Sequence, residues 1–197
     1  MTDNKTIIHK ILQKNNGIIS ASEVTAMDIP RRVLTEMVKN GELCKADRGV
    51  YVLPEVWEDE FFIHQYRLSR GVYSHETALY LLGYSDRTPS SFTMTFQQGY
   101  NTAHTKDRII PKVVVNELYD LGVVDVDSPS GNPLKVYCIE RTLCDIVKGN
   151  GAMDISIVNN AMKQYAQSRD KNIALLMDYA EKLRVKPKIQ NYMEVLL

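Results

Sequence analysis

The sequence predicts an α+β protein: a winged helix-turn-helix, then a mixed α+β domain with a small sheet and a helical C-terminal section. Three observations carry this expectation. Short helical patterns precede a hairpin signal within residues 1–55. Strand-like alternation occupies the middle of the chain, and helical periodicity fills its last third. The composition, 44% hydrophobic and 24% charged over 197 residues, is that of an ordinary globular chain.

The elements follow in order. Ile7, Ile8, Ile11 and Leu12 recur at helical spacing, so a first helix is expected over residues 4–15, stopped by Asn15-Asn16-Gly17. Ser20 followed three residues later by Glu23 reads as a capping box, opening a short second helix that ends near Met27. Asp28-Ile29-Pro30 makes a turn, with Pro30 fitting the first turn of a third helix. That helix carries Val33, Leu34, Met37 and Val38 on one face, and Arg31, Arg32, Thr35, Glu36 and Lys39 on the other. Asn40-Gly41 ends it. Two β-prone stretches, 43–46 and 50–53, flank Asp47-Arg48-Gly49 and read as a hairpin. Three helices and a hairpin is the order of a winged helix.

A helix entering the major groove offers base edges the side chains near its N-terminus, here Arg31, Arg32 and Thr35. An Arg can bond guanine in bidentate fashion. Lys39 lies further along and suits phosphate. Lys45 and Arg48 sit on the wing, and Ser20 and Ser22 open the second helix, where hydroxyl and N–H groups can hold a phosphate. The predicted partner is double-stranded DNA. Net charge is zero, from 24 Lys+Arg against 24 Asp+Glu, so any DNA footprint must be local.

Residues 56–197 form the expected second domain, with 56–72 as a connecting helix. Within it, 57–69 reads as helix, its acidic start (Glu55, Glu58, Asp59, Glu60) suited to a helix N-terminus. Residues 74–83 read as a capped helix ending in Gly. His75 and Glu76 are adjacent on it, and adjacent helical residues point about 100° apart, which argues against a catalytic dyad. Residues 91–97 alternate and predict a half-buried strand, with further strands near 112–117, 122–126 and 134–138. Helices are expected from Glu140 and over 153–166, 171–183 and 187–196. The C-terminal section is locally basic through Lys163, Arg169, Lys171, Lys182, Arg184, Lys186 and Lys188. A solvated helical face is the simpler account of these, and a second functional basic surface the other.

Enzyme signatures are missing. There is no phosphate-binding Gly-rich loop, no HExxH and no G-x-S-x-G. The four histidines and three cysteines show no paired metal-ligand spacing, and Asp120, Asp125 and Asp127 lack a nuclease pattern. The chain reads as a non-enzyme without cofactor. Cys44, Cys138 and Cys144 read as reduced core thiols. The polar N-terminus does not read as a signal peptide, and no apolar run spans a bilayer, so a cytoplasmic protein without a membrane partner is expected.

Arg48-Gly49-Val50-Tyr51, Ser74-His75-Glu76-Thr77-Ala78-Leu79 with Leu82-Gly83, Thr93-Met94-Thr95-Phe96 and Glu140-Arg141-Thr142-Leu143-Cys144-Asp145 occur in that order. In these segments the chain resembles the AbiEi antitoxins of bacterial abortive-infection systems. The resemblance implies the antitoxin of a type IV toxin–antitoxin pair, acting in phage resistance. Such a protein represses its own operon by binding promoter inverted repeats cooperatively. It counters a nucleotidyltransferase-like toxin through the C-terminal domain without a stable complex. From the residues alone, a ligand-responsive winged-helix transcription factor with a C-terminal sensor domain stays open.

Overall fold

The computed structural model describes residues 4–56, 59–105, 108–149 and 153–197. The chain divides into two compact units, Met1–Ser69 with Asp127–Asn132, and Arg70–Val126 with Pro133–Leu197.

The first unit is a winged helix. Helix α1 (Asn4–Lys14) is followed by strand β1 (Ile18–Ser20), α2 (Ala21–Ala26), α3 (Arg32–Lys39) and the hairpin β2 (Cys44–Asp47) and β3 (Val50–Val52). Gly17 stops α1 at φ +80°, a conformation that costs glycine little. Ile8 and Leu12 of α1 pack with Val24, Leu34 and Met37, all essentially inaccessible to water. The Ser20–Glu23 capping box forms in both directions. Pro30 sits just ahead of α3, whose N-cap is Arg31, and its carbonyl accepts the Val33 N–H at 3.0 Å. Strand β1 has no sequence signal: it is three residues long, too short for alternation to register, yet it pairs antiparallel with β3 and completes a sheet ordered β1-β3-β2.

Helix α4 (Glu60–Arg67) also belongs to the first unit. Trp57 and Glu58, where that helix was expected to begin, lie outside the described residues. Asp59 caps α4 by accepting the Phe62 N–H at 3.0 Å. Its other oxygen accepts Ser128 Oγ at 2.6 Å and Asn132 Nδ2 at 2.7 Å. The acidic start thus does more than complement a helix dipole: Asp59 is buried and ties residues 127–132 to this unit. Asp59→Ala removes a cap and leaves two donors without their acceptor. Urea unfolding followed by circular dichroism is expected to register a loss of about 2–4 kcal/mol.

The second unit carries β4 (Val72–Tyr73), α5 (His75–Leu81), β5 (Phe92–Gln97), β6 (Ile109–Val114), α6 (Asn116–Tyr119), β7 (Val123–Asp127) and β8 (Pro133–Tyr137). Four longer helices follow: α7 (Ile139–Lys148), α8 (Ile155–Gln167), α9 (Ile173–Lys182) and α10 (Lys186–Leu196). The sheet order is β6-β5-β4-β8-β7. Strand β5 pairs parallel with β6 and antiparallel with β4, which in turn pairs parallel with β8. Two expectations need correction. Residues 116–119 are helical, so the strand expected over 112–117 lies earlier. And β5 is not half-buried: Phe92 through Phe96 are all buried. Its alternate residues are threonines, and Thr95 enters the interior with its hydroxyl satisfied, Oγ1 donating to Ser74 Oγ at 2.9 Å.

Helix α7 is the centre of this unit, with Glu140 through Val147 buried without interruption. Its charged groups are satisfied internally. Arg141 Nε donates to Asp145 Oδ2 at 3.0 Å, and Nη1 donates to the carbonyls of Leu118 and Leu121 at 2.6 and 3.0 Å. The guanidinium lies 4.2 Å from the centre of the Tyr137 ring. Glu140 accepts the Tyr165 hydroxyl at 3.2 Å. Gly122, at φ +80°, comes so near α7 that a Cβ there would lie 2.9 Å from the Cβ of Arg141. Cys144 is buried and Cys138 half-buried; burial pushes their thiols up to about 12 and about 11.

Among the described residues no helix is long and apolar enough to cross a membrane. No group of three or more His, Cys, Asp or Glu among them is arranged to hold a metal ion.

Candidate nucleic-acid interface

The first unit presents an open groove of about 910 Å³. Ser20 lines it from the end of β1, Ser22 from α2, Arg31 from the start of α3, and Lys45 and Arg48 from the wing. These five are among the eight residues that sequence reasoning assigned to DNA. They converge because the capping box sets the start of α2 beside the wing: the Ala21 N–H donates to the Gly49 carbonyl at 2.8 Å.

Arg31 is exposed, and its Nε donates to Thr25 Oγ1 at 2.8 Å, which orients the guanidinium at the head of α3. Lys45 and Arg48 are exposed on the hairpin. Asp47, between them in sequence, accepts the Arg48 N–H at 2.6 Å, and Gly49 turns the chain at φ +74°.

The remaining three candidates, Arg32, Thr35 and Lys39, do not line the groove. They are exposed on α3 at positions i, i+3 and i+7, one continuous stripe that Glu36 shares. The candidate residues thus fall into two groups: an exposed stripe along α3, and a groove beside its N-terminus.

Ser20 is less available than expected. Its Oγ donates to Glu23 Oε2 at 2.8 Å, accepts the Glu23 N–H at 3.1 Å and lies 2.8 Å from Ser22 Oγ. The capping duty occupies the hydroxyl, and Ser22 is the exposed member of the pair.

Sequence reasoning missed the contribution of α4. Tyr66, Arg67 and Ser69 line the same groove, with Asn15 from the end of α1. Arg67 Nη1 holds Asp47 of the wing at 2.9 Å, with His64 Nδ1 3.7 Å from the same carboxylate. Tyr66 donates its hydroxyl to Glu23, and burial together with that carboxylate raises its pKa. Glu23 also accepts Asn15 Nδ2 at 3.2 Å and the Ser20 N–H at 2.8 Å, so its charge is screened by several donors. A basic residue in the last turn of a helix is what the helix dipole favours, so Arg67 carried no distinguishing signal in the sequence.

Several of the C-terminal basic residues have local partners. Lys182 pairs with Asp178 at 2.7 Å and Lys186 with Glu181 at 2.9 Å. Lys171 and Lys188 donate to the carbonyls of Ser168 and Val147. Lys163, Arg169 and Arg184 are exposed on α8, after α8 and after α9 respectively.

Neither the known protein-family profiles nor the curated protein sequences match this chain. Among solved structures, the crystal structure of the RV2827C protein from Mycobacterium tuberculosis is similar to it. The TM-score is 0.59 at 10% identity, over 95% of this chain and 79% of that one. At that identity the likeness speaks for the fold, an α+β chain with small sheets and a helical C-terminal section.

Proposed function

We propose that this protein is a DNA-binding autorepressor and the antitoxin of a type IV toxin–antitoxin pair. The observation that carries the DNA-binding half is the convergence of Arg31, Lys45, Arg48 and Arg67 on one groove beside the exposed stripe of α3. In a chain of zero net charge, such clustering favours a localised footprint. In this reading, the groove holds the phosphate backbone and fixes the register, while Arg32 and Thr35 face base edges. Two molecules occupy the two arms of an inverted repeat upstream of the gene. The antitoxin half rests on the resemblance of the SHETAL and ERTLCD segments to the AbiEi antitoxins.

The two halves are tested separately. Purified protein is expected to retard a duplex carrying its own upstream region, with two successive shifted bands; absence of any shift ends the repressor reading. Co-expression with a nucleotidyltransferase-like toxin from the adjacent reading frame is expected to restore growth. Unrelieved toxicity ends the antitoxin reading and leaves the repressor reading standing.

A further inference from the structure

The second unit contains a cavity of about 380 Å³, lined by both polar and aliphatic side chains, that the DNA-binding reading does not use. That volume lies within the range of small-molecule sites, about 300–1,000 Å³. His75 and Glu76 both line it, together with Thr93 of β5, Lys112 of β6, Arg87 and Asp145. His75 has φ +53°, in the left-handed region that a non-glycine residue rarely adopts.

The surroundings hold His75 there. Ser74, the N-cap of α5, makes no capping hydrogen bond with its side chain. Its Oγ accepts from Thr95 Oγ1 at 2.9 Å and lies 3.1 Å from His75 Nδ1. Burial, with Lys112 and Arg141 nearby, lowers the His75 pKa to about 4, so the imidazole is neutral at neutral pH.

The charges of the lining sort themselves. Asp145 is committed to Arg141. Asp154 is exposed and caps α8 by accepting the Ser156 N–H at 2.8 Å. Lys112, on β6, and Arg87, after α5, are the cations of the lining, Arg87 near enough to Asp154 to help lower its pKa, and Glu76 is the remaining carboxylate.

From this arrangement we infer that the cavity binds a small hydroxylated organic anion, its phosphate or carboxylate held by Lys112 and Arg87 and its hydroxyls facing Glu76 and Thr93. A simple anion would satisfy the cations alone, whereas a sugar phosphate or sugar acid also offers hydroxyls to Glu76 and Thr93. The inference does not rest on DNA binding.

Isothermal titration calorimetry on the full chain tests it, with ribose 5-phosphate and gluconate as the two probes and ribose as the uncharged control. One or both anions are expected to bind saturably, more tightly than ribose, and the stronger identifies the preferred head group. Lys112→Gln and Arg87→Gln, at residues not fully buried, are expected to weaken binding by about tenfold or more. Circular dichroism confirms that each variant is folded. Absence of saturable binding by both anions up to about 10 mM, a range that covers even weak sites, overturns the inference. So does unchanged affinity in both folded variants.

Discussion

Arg141→Met is expected to destabilise the protein by about 3–5 kcal/mol, the cost of stranding a buried charge. Arg141 is 1% exposed, and its guanidinium answers Asp145, two backbone carbonyls and the face of Tyr137 at once. Methionine fills much of the volume and none of these bonds. The effect is pH-dependent in a defined direction. Burial raises the Asp145 carboxyl from 3.8 to about 6, even with Arg141 opposing the shift. The folded state therefore holds that proton more tightly than the unfolded chain. Asp145's contribution to stability is full below about pH 4 and is lost as pH rises through about 6. Without Arg141 the carboxyl rises further, so the loss in Arg141→Met is expected to be larger at about pH 7.5 than at about pH 5. Urea unfolding at the two pH values measures both numbers. A double variant, Arg141→Met with Asp145→Leu, is expected to recover most of the stability, because the pair is removed together. Equal destabilisation at both pH values would contradict the buried-charge account.

The second large effect concerns the groove. A triple variant, Arg31→Ala with Lys45→Ala and Arg48→Ala, is expected to weaken binding to the upstream DNA by about a hundredfold or more at moderate salt. All three side chains are exposed, so the variant should unfold with the same midpoint as the parent. All three line the groove, so their loss is expected to weaken specific and non-specific duplexes together. Competition titrations with a scrambled duplex check this. An unchanged affinity in a folded triple variant would remove the groove from the interface.

The parts that were legible in the sequence have local causes. Ser20 and Glu23 are three residues apart, so the capping box and the start of α2 could be read directly. Gly17 and Gly49 mark turns that need positive φ. The wing residues follow from one hairpin signal. What escaped was non-local or too short to show a period. Strands β1 and β4, of three and two residues, carry no alternation of their own. Helix α7 is buried on all sides although it carries Glu140, Arg141 and Asp145, because its partners come from distant segments such as Leu118 and Tyr165. No pattern within the helix announces those partners. Arg67 entered the groove for the same reason, through the wing residue Asp47 twenty positions earlier. The left-handed backbone of His75 likewise has no signal in the sequence.

The central claim is that the winged unit binds DNA through localised positive charge. Fluorescence anisotropy of a labelled upstream duplex, titrated with the full-length protein across a series of salt concentrations, tests it most directly. The account predicts a straight log–log dependence of affinity on salt, steepened by about 0.9 for each phosphate that a groove or α3 cation neutralises. The slope should fall by about 2.7 in the Arg31, Lys45 and Arg48 triple variant. Binding that is absent, or a slope that the triple variant leaves unchanged, would contradict it.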